Sequence, residues 1–134
     1  MKKFAALLFV SLLFLAPTVH ASEIAELKQK MIDARKALYI LLTEMHRRGP
    51  DQQKLVKDTA DAVSAKIAVM KAPAGKEVKF KELTDTWKAF KKTREEELVP
   101  RIMSGRQDEA EKIATGIQNE RFTKMMILCE ELNK

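Results

Sequence analysis

Apolar residues spaced three and four apart, between a few Gly and Pro breaks, constrain this chain more than any other feature. Ile24, Leu27, Met31, Ala34, Leu38, Leu41 and Met45 follow one another at those intervals without a miss. That spacing lines one face of a helix and cannot line one face of a strand. Gly49-Pro50, Pro73 with Gly75, and Gly105 divide residues 22–134 into four segments of similar length, and such residues mark turns. Within the segments the chain is rich in Ala, Leu, Lys, Glu, Gln and Met, which are strong helix formers.

The spacing predicts helices over Glu23 to Arg48, Asp51 to Lys71, Lys79 to Met103 and Gln107 to Leu132. Ser22 is placed to cap the first, with acids in its first turn and Arg47 and Arg48 in its last, as the helix dipole favours. The second carries Val56, Thr59, Val63, Ile67 and Met70 on its apolar face. The third carries Phe80, Leu83, Trp87 and Phe90, meets Arg94, and resumes at Leu98 and Ile102. Pro100 should kink or break it, because proline lacks an N–H and crowds the preceding turn. The fourth carries Ala110, Ala114, Ile117, Met125, Leu128 and Leu132, with Arg121 interrupting. Gly116 falls in mid-helix, where a glycine permits close helix approach. Four helices joined by short turns imply an all-α, antiparallel up-down-up-down four-helix bundle over 22–134.

Ahead of this lies a leader. Lys2 and Lys3 precede an apolar run from Phe4 to Ala16, and Val19 and Ala21 supply small residues before an expected cut after Ala21. Residues 1–21 therefore read as a Sec-type signal peptide, and the remainder as a soluble periplasmic protein. Its removal takes two basic residues and lowers the formal charge from +6 to +4. The charges alternate in sign along the helices, with no basic block and no aromatics among basic residues. That pattern fits solvated faces and excludes a nucleic-acid surface. Cys129 is the only cysteine, so it is a buried thiol or a bridge between two copies in a homodimer.

Catalytic machinery is not legible. His46 is the only histidine after the leader and is expected at the opposite bundle end from Cys129. No phosphate-cradling Gly-rich loop and no Glu-x-x-His di-metal spacing occurs, so the chain reads as a non-enzyme that carries no cofactor. Two side-chain sets remain. Met31, Met125, Met126 and Cys129 fall toward one end, and Met45, His46 and Met103 toward the other. Thioether, thiol and imidazole groups suit Cu(I), so a copper carrier is one alternative. A non-covalent b-type haem is another, although no His after residue 46 can serve as its second ligand. The plainer reading of these methionines is core filling. The second set is Arg94 and Arg121, each placed where an apolar residue is expected, with Arg35 at the height of Arg121. Such arginines snorkel outward, pair with carboxylates such as Glu97 or Glu120, or form a cationic spot for an organic anion.

The stretch from Phe80 through Trp87, Phe90 and Arg94, then Gly105-Arg-Gln-Asp-Glu109-Ala110, then Asn119-Glu120-Arg121-Phe122, resembles the four-helix-bundle sensor domain of methyl-accepting chemotaxis receptors. The resemblance covers about 55 residues by motif and the rest by helix layout. This chain has neither the second membrane helix nor the cytoplasmic region of those receptors. The resemblance therefore implies a free-standing sensor-like module that binds a small molecule or docks on a membrane receptor. A periplasmic stress or chaperone-like role is the remaining expectation.

Overall fold

The computed structural model describes residues 19–134. These residues are helical, without a strand: α1 (Val19–Thr43), a 3-10 turn (Met45–Arg47), α2 (Pro50–Val69), α3 (Glu77–Thr93), a π turn (Arg94–Leu98), α4 (Val99–Met103), α5 (Gln107–Thr115) and α6 (Ile117–Leu132). The π turn joins α3 to α4 in one rod, and Gly116 joins α5 to α6 in another. Four rods result. The expected leader lies outside the described residues up to position 18, and its expected cut after Ala21 falls within the first turn of α1. No helix among them is long and apolar enough to cross a membrane.

Cross-rod contacts fix the pairing. Between α1 and α2, Gln52 bonds to the Ala37 carbonyl and Lys66 to Glu26, so numbers rise on one rod as they fall on the other. Between α3 and α6, Gln118 reaches Phe90, Lys124 reaches Glu82 and Lys79 reaches Glu131, again in opposite senses. Packing is close along α1–α2 and α3–α6, whereas α2 and α3 approach each other only sparsely. Long side chains bridge that seam: Trp87 Nε1 donates to Ser64 Oγ at 3.0 Å, and Arg94 reaches the Val56 carbonyl.

The apolar stripes bury two clusters rather than one core. One holds Ile24, Leu27, Met31, Val63, Leu83, Trp87, Phe90, Phe122 and Met125. The other holds Leu38, Leu41, Leu42, Val56, Leu98, Ile102, Ala110 and Ala114. Arg94 and Gln118, both buried, sit where the clusters meet. Each rod of the second half is irregular there. Val99 N–H donates to the Arg94 carbonyl five residues back, which inserts one residue into the turn. Gly116 leaves helical geometry at φ −93°, ψ −111°, and a Cβ there would lie 2.7 Å from the Lys112 carbonyl oxygen. Its glycine thus serves a backbone break and not the close helix approach that the sequence suggests.

Several boundaries differ from the sequence reading. α1 begins at Val19, which places Ser22 inside the helix rather than at its cap. It ends at Thr43, not Arg48, and Arg48 folds back to cap it, donating to the Leu41 and Leu42 carbonyls at 2.8 Å each. That arginine also meets Gln107 Oε1 at 2.6 Å, tying the α1–α2 turn to the start of α5. At the other end Lys76 caps α6 through the Glu131 and Leu132 carbonyls. In both cases a cation meets the negative pole of a helix and its orphan carbonyls. Pro100 occupies the first turn of α4, where it needs no N–H, and the interruption falls in the turn before it, the π turn that holds the Glu96 carbonyl its ring would crowd.

Candidate functional site

The break at Gly116 delays the inward face of the last rod by one residue. Gln118 and Phe122 are buried in place of the expected Ile117 and Arg121, and Ile117 is 44% exposed. Arg121 therefore lies on a flank and not in the stripe. It donates to Thr93 Oγ1 at 2.8 Å and to Gln118 Oε1 at 3.0 Å. Arg35 lies on the opposite flank of α6. Its guanidinium stacks over the Phe122 ring at 4.3 Å and the Tyr39 ring at 5.0 Å and donates to Asn119 Oδ1 at 3.0 Å. The three arginines thus do not form one cluster. Arg35 clamps α1 to α6, Arg121 clamps α6 to α3, and neither bonds to a carboxylate among the described residues.

Arg94 differs from both. It is 1% exposed and donates to the Ala34 carbonyl at 2.9 Å and to the Val56 carbonyl. Neither Glu97 nor Glu120 pairs with it; the Glu97 carboxylate faces Arg101 at 4.0 Å instead. Its partners are uncharged main-chain carbonyls, and no buried side-chain nitrogen or oxygen among the described residues lacks a hydrogen-bond partner. Burial pushes the guanidinium well below its ordinary value, to about 10, with Glu95 and Asp61 opposing from a distance. It stays charged at neutral pH, as a buried cation without a direct counterion, a costly arrangement.

This cation borders an open cleft of about 470 Å³ between α2 and the α3–α4 rod. Leu41, Val56, Ala60 and Val99 form its apolar walls with Arg94. The volume is within the ~300–1,000 Å³ usual for small-ligand pockets. At the rim stand two ion pairs, Lys57–Asp61 at 2.5 Å on α2 and Lys91–Glu95 at 2.7 Å on the facing rod. The Lys57 hydrogen bond holds the Asp61 carboxyl below its usual range, and Asp61 in turn raises Lys57. The cleft exists because α2 and α3 stand apart. The π turn keeps Arg94, Leu98 and Ile102 on one inward face, leaving Glu95 and Val99 at the opening.

The sulfur-bearing residues separate by environment. Met31 and Met125 are fully buried, Cys129 is 1% exposed, and all three join the same core cluster, against which Met126 packs. Burial pushes the Cys129 thiol up to about 11, which works against the thiolate that metal ligation or nucleophilic attack requires. These contacts support core packing. At the other end Met45 is 71% exposed and Met103 41% exposed. Met45 leaves the α1 stripe because α1 ends before it. His46 stands in solvent, 3.8 Å from Glu44. Among the described residues no three or more His, Cys, Asp or Glu side chains group as metal ligands.

The sequence reading missed Gln52 and Gln118, which cross between rods to the Ala37 and Phe90 carbonyls as Arg94 crosses to Ala34 and Val56. Each lies four residues from a buried stripe residue, Val56 or Ala114, which is the signal that could have found it. Comparison with protein-family models, curated proteins and solved structures gave no match.

Proposed function

We propose that this chain is an exported, non-enzymatic binding or sensory-accessory module that takes a small anion in the α2–α3 cleft. One observation carries the reading: Arg94 is a buried cation with only carbonyl partners, placed at the wall of an open apolar cleft. An anion entering there would supply the missing counter-charge. The leader-like residues 1–21 support export, and the motif resemblance to receptor sensor domains supports a sensory role. The protonated, buried Cys129 and the solvent-exposed His46 support a role without nucleophilic catalysis. Transmission to a membrane would then pass through a receptor partner.

The test starts with the full chain, leader included, expressed in a bacterium with a periplasm. Native mass spectrometry of the periplasmic product should give the mass of 22–134. Thermal denaturation against a panel of small organic anions at constant ionic strength should show specific stabilisation. A ligand at ~100 times its Kd adds about 2.7 kcal/mol. A panel in which no anion shifts Tm beyond a matched chloride control defeats the reading.

A further inference from the structure

We infer that the cleft selects a monoanion with a compact apolar body, seated with its charged end against Arg94. The inference rests on the cleft reading above and narrows it by charge and shape. Three cations border the cleft, Lys57, Lys91 and Arg94, but two carboxylates, Asp61 and Glu95, border it with them. The two lysines are each held by the carboxylate one turn along their own helix. Only Arg94 brings charge that no carboxylate directly matches, so the site offers one net positive charge, and offers it at depth.

The walls set the rest. Leu41, Val56, Ala60 and Val99 give the bound molecule apolar contact between Arg94 and the rim. Burying apolar area there favours binding. A second carboxylate on the same molecule would extend toward a rim where Lys57 and Lys91 are already matched by Asp61 and Glu95, and would lose its hydration there with no free cation to meet it. A cationic head would meet Arg94. A neutral amide would keep the apolar contacts but lose the charge-assisted bond.

Four molecules of one shape separate these terms: cyclohexanecarboxylate, cyclohexanecarboxamide, cyclohexylammonium and cyclohexane-1,4-dicarboxylate. Each is titrated into ¹⁵N-labelled, leader-processed protein at neutral pH. The monocarboxylate should shift the amides of Val56, Ala60, Arg94 and Val99, and should bind about tenfold or more tightly than the amide or the dicarboxylate. Val99→Trp, which fills the cleft from its half-buried edge, should abolish those shifts while leaving the helical circular dichroism intact. Should that variant misfold, the Arg94 side-chain Nε–H resonance in the unmodified protein decides the same point, since seating an anion there must move it. Equal binding of the amide, tighter binding of the dicarboxylate, or binding of the ammonium at the same amides overturns the monoanion while the cleft reading survives. No probe shifting the cleft amides, or shifts that persist unchanged in folded Val99→Trp, overturns both.

Discussion

Replacing Arg94 by Met keeps the length of the side chain and removes its charge. The change loses two hydrogen bonds from a charged donor, to the carbonyls of Ala34 and Val56, about 1.5–3 kcal/mol each. It also removes the cost of holding the cation out of water. The drop of its pKa to about 10 corresponds to a penalty of roughly 3 kcal/mol. A buried Met adds about 1.5–3 kcal/mol of apolar transfer in its place. Both carbonyls lie inside α1 and α2, where the N–H one turn on also serves them, so neither is orphaned. These contributions nearly cancel, and Arg94→Met should fall within about 1.5 kcal/mol of the original stability. Arg94→Ala leaves a void between the two core clusters and should cost about 2–5 kcal/mol. Urea denaturation followed by Trp87 fluorescence measures both, because Trp87 is the single tryptophan and is buried in the first core cluster. Both variants should lose the anion response. An Arg94→Met protein more than about 3 kcal/mol less stable would refute the balance. It would make Arg94 a net stabilising clamp, with no need of a ligand to explain it.

The π turn holds one residue more than an α-helical turn, so deleting exposed Glu96 should leave a continuous helix with Phe90, Arg94 and Leu98 still inward. Its urea midpoint should stay close to the original, while deleting exposed Lys81 should cost several times more by rotating the rest of the rod ~100°; equal damage from both would show that the turn does not set the register. Gly116→Ala should lower Tm by several degrees, because its Cβ would crowd the Lys112 carbonyl oxygen at 2.7 Å; a rise in Tm would mean that the rod readily becomes one straight helix. Cys129 has its thiol pKa raised from 9.0 to about 11 in the folded state, so the native protein holds that proton longer than the unfolded chain. Its contribution is whole below pH 9 and is lost as pH climbs toward 11, by up to roughly 3 kcal/mol, and Cys129→Ala should remove that alkaline slope. The same thiol should react with a disulfide reagent only as fast as the protein opens, and prompt labelling at pH 8 would contradict its burial.

The sequence by itself determined the helices, their turns and most of the buried residues. Those depend on local terms: spacing of apolar residues, helix propensity, and the backbone freedom or restriction of Gly and Pro. The π turn left no distinct trace: steps of four and four from Arg94 through Leu98 to Ile102 drift only ~80° around an unbroken α-helix, within one apolar face. Phase was lost at Gly116, where one glycine looks the same whether a helix passes through it or breaks at it. That single ambiguity put Ile117 and Arg121 inside and left Gln118 and Phe122 out.

The candidate site was legible only as an anomaly. Arg94 stood out on its helix, but its partners are carbonyls on α1 and α2, 60 and 38 residues away in the chain. Main-chain acceptors exist at every position and carry no sequence signal, so no pattern could name them. Arg35 and Arg121 look alike in the sequence and were grouped by height along the bundle. Height says nothing of which flank of α6 a side chain takes, and rod rotation sent the two apart. The wide α2–α3 seam, and with it the cleft, follows from how four rods share two apolar clusters. Tertiary packing alone decides that, because it depends on all the faces at once.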